Sequence, residues 1–181
     1  MGMAISAPRY TIDDLDQLPD DGNRYEVLDG MLLVTPSPSV DHQRIATELT
    51  VRLRNVIPSE LGIVVAPGAI QSGDRTQLQP DLLVYSATFG RAKSWREIGD
   101  HWVAVEVLSP SSRIYDRDFK RDAYFALGVK EVWLVDVDAR AVEVSRAPGA
   151  METVRDVVRW RVPDSGQVVT IDLAELFRFI G

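Results

Sequence analysis

The sequence predicts a mixed α/β (α+β) fold, in which a central mixed β-sheet is flanked by α-helices. Several short apolar strands are separated by two substantial helices, which is the order expected of one sheet covered by helices. Residues 102–136 contain a strand, a charged helical run and a second strand. The first of these strands is almost wholly apolar, as is typical of a strand that is covered on both faces.

The length of 181 residues suits one domain with a hydrophobic core. We expect a flexible tail over residues 1–9 and a single domain over residues 10–181. The first half of that domain should hold a short helix, a hairpin, a long helix and three strands, with a polar loop over residues 72–79. In chain order these elements are Ile12–Leu18, Arg24–Leu28 with Met31–Thr35 around the Asp29-Gly30 turn, Val40–Val56 after the N-cap Ser39, Leu61–Ala66, Ala69–Gln71 and Leu82–Tyr85.

The second half should begin with a loop or short helix and continue with the strand–helix–strand unit. Gly128 is well placed to end the helix of that unit. Three further strands and a C-terminal helix are expected after it. The predicted bounds are Phe89–Asp100 for the loop, Trp102–Leu108 for the strand, Tyr115–Leu127 for the helix, a strand ending at Asp136, then Ala141–Arg146, Thr153–Val162, Gln167–Ile171 and a helix from Asp172 to about Phe179.

Composition excludes several classes of protein. The chain has no cysteine, so disulfides, thiolate nucleophiles and zinc–thiolate sites are absent. A net charge of −7 argues against broad electrostatic attachment to nucleic acid, although a local basic patch and a metal ion remain compatible with it. No apolar run approaches the roughly 20 residues of a membrane span, and no secretory signal is visible. We therefore expect a cytoplasmic protein with no membrane partner.

Two charged side chains are predicted to point inward on consecutive elements. Glu106 interrupts the apolar strand, where a carboxylate costs several kcal/mol unless a metal, a base or hydrogen-bond donors compensate it. Lys120 projects within about 20° of Leu127, inside the apolar stripe of the following helix. Asp81 opens another buried strand, and Glu26 lies opposite Leu33 in the predicted hairpin.

These residue types are suited to a metal-assisted reaction of a phosphate. If their strands are neighbours, Asp81 and Glu106 come together, and two carboxylates with waters and a phosphate oxygen form an octahedral site for Mg²⁺ or Mn²⁺. Such a metal polarises a phosphoryl group and lowers the pKa of bound water. Lys120 could then stabilise charge on the water or the phosphate, and Glu26 could complete the ligand set or hold a metal-bound water.

Several motifs occur together in a recognisable order. Pro80-Asp81 precedes one strand, and Glu106 lies deep in a following strand. The other segments are Arg24-Tyr25-Glu26-Val27-Leu28-Asp29-Gly30, His42, Glu106-Val107-Leu108-Ser109-Pro110-Ser111-Ser112, the helically spaced Asp116, Lys120 and Tyr124, and the run from Gly128-Val129 to Trp133-Leu134-Val135-Asp136. From about Tyr10 to Phe179 the chain resembles the PD-(D/E)XK nuclease superfamily and, more narrowly, a bacterial family of restriction-endonuclease-like proteins.

The resemblance implies a restriction-endonuclease-like fold and a divalent-metal-dependent nuclease site that acts on DNA. By position, Asp81 and Glu106 would be metal ligands, Lys120 the catalytic lysine and Glu26 an additional catalytic acid. The chain departs from the superfamily signature at Leu108, where a lysine is expected two residues after the acid. In the narrower family the lysine comes from the next helix, as Lys120 does here.

Each candidate residue also has a purely structural interpretation. Glu106 and Lys120 could form a structural ion pair, Lys120 could extend to solvent, and Glu26 could be a solvated hairpin residue. His42 could be a core histidine or a contact to phosphate or water. The basic loop residues Arg91, Lys93 and Arg96 are candidate substrate contacts or simply solvated.

Two alternatives to the nuclease follow from these interpretations. One is a catalytically silent domain that binds nucleic acid or a protein, which the acidic net charge and Leu108 leave open. The other is a structural homodimer in which the buried charges serve only packing.

Overall fold

The structure, a computed structural model, describes residues 9–108 and 119–180. In these two ranges the chain forms short α-helices, one long α-helix and twelve strands. The α-helices are α1 (Ile12–Leu15), α2 (Val40–Val56), α3 (Arg121–Ala126) and α4 (Leu173–Leu176), and 3₁₀ turns cover Ala87–Phe89 and Trp95–Glu97.

The strands follow the order expected from the sequence, with one strand added and one predicted strand divided in two. They are β1 (Arg24–Leu28), β2 (Met31–Thr35), β3 (Gly62–Val65), β4 (Ile70–Ser72), β5 (Thr76–Leu78), β6 (Leu82–Ser86), β7 (His101–Leu108), β8 (Glu131–Asp136), β9 (Ala141–Ala147), β10 (Ala150–Val154), β11 (Val157–Arg161) and β12 (Val168–Asp172). The last two form a separate antiparallel pair.

Six strands form the central sheet, in the order β10-β9-β8-β7-β6-β3. β7 and β8 are parallel, whereas the other neighbouring pairs are antiparallel. Every residue of β7 and β8 is buried. The mixed sheet and its covered central strands confirm the predicted fold class, since a parallel pair requires a crossover connection and cover on both faces.

The β1–β2 hairpin belongs to a second sheet, in the order β2-β1-β5-β4. Asp29 and Gly30 have φ angles of 51° and 82°, which the tight hairpin turn requires. Glu26 lies opposite Leu33, as predicted. The prediction of a loop over residues 72–79 was wrong, because β5 pairs there with both β4 and β1. Its strand conformation depends on these two neighbours and not on an apolar pattern of its own.

The two faces of the central sheet carry different apolar clusters. Ile45, Leu49 and Leu53 of α2 pack on one face, together with the buried tryptophans Trp102, Trp133 and Trp160. The fully buried Tyr124 of α3 packs with Leu134 on the other face. Successive residues of a strand point to opposite faces, so Glu106 in β7 lies between residues that face α2 and points toward α3.

Some element ends differ from the sequence-based predictions. Helix α1 ends at Leu15 instead of Leu18, and α4 ends at Leu176 instead of near Phe179. The predicted strand Thr153–Val162 is divided between β10 and β11 by a bend at residues 155–156. The predicted start of the α3 helix at Tyr115 lies outside the described residues. No helix within the two described ranges is long and apolar enough to cross a membrane.

His101, the first residue of β7, is a buried histidine whose pKa differs from its ordinary value. Its exposed fraction is 3%, and neither ring nitrogen has a hydrogen-bond partner among the described residues. Burial lowers the pKa of His101, and the nearby charge of Asp100 only partly opposes this effect. The folded protein therefore favours the neutral imidazole.

We expect His101 to make stability depend on pH below about 6.5, the ordinary histidine pKa. As the pH falls from 6.5 toward the lower pKa of the folded state, His101 becomes protonated in the unfolded chain but stays neutral in the folded chain. The free energy of unfolding therefore decreases over this pH range. This loss is at most about 1.4 kcal/mol per pH unit. Urea unfolding of the wild type and His101→Phe at pH 7.5 and 5.5 measures it. A stability difference between the two proteins that does not change with pH would contradict the assignment.

Candidate active site

Asp81 and Glu106 lie side by side at one end of the central sheet. Strands β6 and β7 are neighbours, as the sequence predicted, and Leu82 pairs with Val105. Asp81 precedes Leu82 and so lies next to Glu106 and Val107. The backbone N–H of Val107 donates a hydrogen bond of 2.8 Å to Asp81 Oδ2. The sheet register therefore places the two acids at the same level of adjacent strands, and Arg24 interacts with the charge of both.

Both oxygens of Asp81 are held by cationic or donor side chains. Arg24 Nη1 lies 2.7 Å from Oδ1, and His42 Nε2 lies 2.9 Å from Oδ2. Burial opposes the ionisation of Asp81, but the hydrogen bond from His42 and the charge of Arg24 outweigh it and lower the pKa to about 2. His42 is thus buried on the apolar face of α2, as predicted, and its partner there is Asp81.

Lys120 lies between Glu26 and Glu106 in the interior. Its Nζ is 2.6 Å from Glu26 Oε2 and 3.2 Å from Glu106 Oε1. The exposed fractions are 1% for Lys120, 0% for Glu26 and 1% for Glu106. The backbone N–H of Gln79 donates to Glu26 Oε1 at 2.7 Å. These contacts exclude the solvated interpretations of Lys120 and Glu26.

Arg24 links the two carboxylate groups electrostatically. Burial lowers its pKa, but the negative charges of Glu106, Asp81 and Glu26 outweigh burial and raise it. The side chain also donates to the Gln79 carbonyl at 3.0 Å. Sequence reasoning placed Arg24 only within a matching motif and gave it no role, because an arginine at the start of a hairpin strand is usually solvated.

Tyr124 adds a neutral donor to the same cluster. Its hydroxyl donates a hydrogen bond to Glu106 Oε1. Burial, together with the charges of Glu106 and Glu26, raises the pKa of Tyr124 well above its usual value, so the hydroxyl keeps its proton. In the sequence Tyr124 belongs to a matching motif, and no partner was predicted for it. Its position one helical turn after Lys120 was the available signal that both side chains reach the same acid.

The donor chemistry of this cluster fits a hard divalent cation such as Mg²⁺ or Mn²⁺, because carboxylate oxygens are its preferred protein ligands. Within residues 9–108 and 119–180, no group of three His, Cys, Asp or Glu side chains is arranged to hold a metal. Asp81 and Glu106 would therefore need waters or a substrate oxygen as further ligands. An ion bound to Asp81 would also compete with Arg24 and His42.

Other residues singled out in the sequence lie apart from this cluster. Arg91, Lys93 and Arg96 are exposed and follow the far end of β6, which is about 15 Å from Asp81 at the rise per residue of a strand. The structure does not bring that loop to the carboxylates. Asp136 accepts a hydrogen bond from the Ala139 N–H at 2.9 Å, as expected of a residue that caps a turn. Asp116 lies outside the described residues.

The chain is similar to a known family and to a solved structure. Residues 12–174 match the family Uma2, described as "Putative restriction endonuclease". This chain belongs to the Uma2 family. That membership confirms the resemblance to restriction-endonuclease-like proteins seen in the sequence.

A solved structure agrees with the fold of this Uma2 protein. The chain is similar to "a putative nuclease belonging to DUF820" from Anabaena variabilis ATCC 29413, with a TM-score of 0.71 and 21% identity. The similarity covers 93% of this chain and 98% of the other. At this level of identity it establishes the restriction-endonuclease-like fold alone. No curated protein matches the chain.

We expect Lys120→Met to destabilise this Uma2 protein by about 3–5 kcal/mol, because it leaves two buried carboxylates without their shared cation. The matched control is Lys130→Met, whose exposed ammonium pairs with Asp100 at 2.6 Å and should contribute less than about 1 kcal/mol. Urea unfolding at pH 7.5 gives both values. Equal stability losses in the two variants would contradict the buried-pair assignment.

Proposed function

We propose that this protein is a divalent-metal-dependent endonuclease that hydrolyses phosphodiester bonds of DNA. The observation that carries the proposal is the convergence of three buried carboxylates and one buried lysine from separate elements: Glu26, Asp81, Glu106 and Lys120. Membership of a restriction-endonuclease family supports a nucleic-acid substrate. A purely structural cluster would not require so many desolvated charges at one sheet end.

In this proposal Asp81 and Glu106 are the ligands of Mg²⁺ or Mn²⁺, with waters and a substrate oxygen completing the coordination. When bound, the ion polarises the phosphoryl group and lowers the pKa of a coordinated water. Asp81 suits this role because its contacts with His42 and Arg24 lower its pKa to about 2 and keep it ionised before an ion binds. Arg24 and His42 would have to give up its oxygens for the ion to bind.

Lys120 is the proposed electrostatic catalyst. Its ammonium lies 3.2 Å from Glu106 Oε1, close enough to act on a water or a phosphate oxygen bound beside that carboxylate. Glu26, 2.6 Å away on the other side, holds the ammonium in position. The site excludes bulk water, so charges there act more strongly than at the surface. Leu108 occupies the position where the superfamily signature has a lysine, and in this proposal Lys120 supplies the positive charge instead.

One observation favours a second candidate function, a silent nucleic-acid- or protein-binding domain. Arg24 and His42 already occupy both oxygens of Asp81, and such saturation suits a domain that no longer binds a metal. A protein of this kind would bind nucleic acid with no requirement for a divalent ion.

A cleavage assay separates the two functions. Supercoiled plasmid and single-stranded DNA would be incubated with Mg²⁺, Mn²⁺ or a chelator. We expect metal-dependent cutting by the wild type, and a loss of about 100-fold or more in Asp81→Asn and Glu106→Gln. Both substitutions keep the size of the side chain, remove its charge and turn one acceptor oxygen into an amide donor, so the folding of each variant is measured beside its activity.

The matched control is Asp100→Asn. Asp100 is a partly exposed acid that pairs with Lys130 outside the cluster, and its replacement should leave cutting unchanged. Circular dichroism would establish that each variant is folded. Metal-independent binding with no cutting by folded wild-type protein would favour the silent domain, and cutting by Asp81→Asn at the wild-type rate would refute the proposed ligand.

A further inference from the structure

A cleft of about 420 Å³ opens beside Asp81. Arg24, His42 and Asp81 line it at the carboxylate cluster, and α2 forms one of its walls. The Arg24 side chain is 23% exposed whereas that of Asp81 is 6% exposed. The cleft is therefore a route from the surface to the side of the cluster that holds Arg24 and Asp81.

The walls of this cleft are largely apolar, whereas its inner end carries charged side chains. Pro36, Pro38 and Pro67 are exposed at the surface, and Ala46 and Val51 of α2 contribute further apolar area. Walls of this kind are typical of small-molecule sites, in which apolar side chains cover the ligand and a few polar groups orient it. Polar groups that line the same wall include the side chains of Gln43 and Thr50.

The inner end of the cleft carries a group suited to a phosphate. Arg24 is the one lysine or arginine among the described residues that line it. A guanidinium presents paired N–H donors that match two phosphate oxygens. One cation at the closed end and apolar walls toward the surface match the two chemical parts of a nucleotide.

We propose that this cleft binds one unpaired nucleotide of the substrate strand, with Arg24 as the contact to its phosphate. The inference rests on the proposed nuclease function and names the substrate class: a single strand, or a duplex opened at the site. The volume of about 420 Å³ lies within the roughly 300–1,000 Å³ of small-molecule pockets. That volume suits a single nucleotide and not a base-paired segment.

The charges of the cluster determine when a nucleotide binds. Among the described residues, the carboxylates of Glu26, Asp81 and Glu106 contact the basic side chains of Arg24 and Lys120. Arg24 is engaged by Asp81 at 2.7 Å, so its guanidinium must leave that carboxylate to bind a phosphate. A divalent ion on the carboxylates would compete with Arg24 for Asp81 and add positive charge beside the cleft. We therefore expect nucleotide binding to depend on the divalent ion.

Thymidine 5′-monophosphate is a suitable probe, because it has no internucleotide bond to hydrolyse. Calorimetry would measure its binding to the full-length protein with Mn²⁺ and with chelator. Val51 is 48% exposed on the cleft wall, so Val51→Trp fills the cleft. We expect binding by the wild type only with Mn²⁺, and binding at least tenfold weaker in Val51→Trp.

The control is Val56→Trp, which adds the same side chain to the same helix. Val56 is 40% exposed and does not line the cleft, so its variant should bind the nucleotide as the wild type does. No nucleotide binding by the wild type with Mn²⁺, or equal binding by the wild type and Val51→Trp, would overturn the proposal. Equal weakening in both tryptophan variants would overturn it as well.

Measurements of cleavage and of metal binding separate a failure of the proposed nucleotide cleft from a failure of the proposed nuclease function. We expect Val51→Trp to bind Mn²⁺ like the wild type but to cut single-stranded DNA at least tenfold more slowly. Val56→Trp should cut at the wild-type rate. If Val51→Trp cuts at the wild-type rate while Asp81→Asn is inactive, the nuclease stands and the cleft assignment falls. If the wild type cuts nothing, the nuclease proposal fails, and the nucleotide titration still decides what the cleft binds.

Discussion

The ion pairs of Lys120 with Glu26 and Glu106 are the interaction on which the rest of the site depends. The three side chains come from the N-cap of α3, the hairpin sheet and the central sheet, and all are at most 1% exposed. Each buried ion costs several kcal/mol of desolvation, which mutual attraction and added hydrogen bonds offset only when the geometry is good. The Gln79 N–H and the Tyr124 hydroxyl supply such bonds. One set of contacts therefore joins two sheets and a helix and also positions the candidate catalytic groups.

A second set of charges lies around Asp81, nearer to the surface. Arg24 forms an ion pair with this carboxylate, His42 donates a hydrogen bond to it, and both contacts keep it ionised. Arg24 also interacts with Glu106 and Glu26, so the two sets form one electrostatic unit. In the proposed nuclease, Asp81 and Glu106 would hold the divalent ion, which would compete with Arg24 for Asp81. Arg24 would then be available to a phosphate in the neighbouring cleft.

The sequence was sufficient to predict the central features, because each of them breaks or completes a local pattern. Glu106 interrupts an apolar strand, Lys120 interrupts an apolar helix stripe, and Asp29-Gly30 defines a hairpin. The roles of Arg24 and Tyr124 were not predicted, because an arginine in a hairpin strand and a tyrosine in a helix fit their local patterns and do not interrupt them. β5 was missed because residues 76–78 form a strand only through pairing with β1 and β4. Long-range pairing of this kind leaves no periodic trace in a single sequence.

The most direct test of the account is a calorimetric titration of Mn²⁺ into wild-type protein and Asp81→Asn. The central claim is that the buried carboxylates exchange their protein cations for a divalent ion. It predicts saturable binding by the wild type and binding at least about tenfold weaker in Asp81→Asn, since one of two charged ligands is lost. Identical titration curves for the two folded proteins would contradict it, and the carboxylates would then be a structural charge cluster.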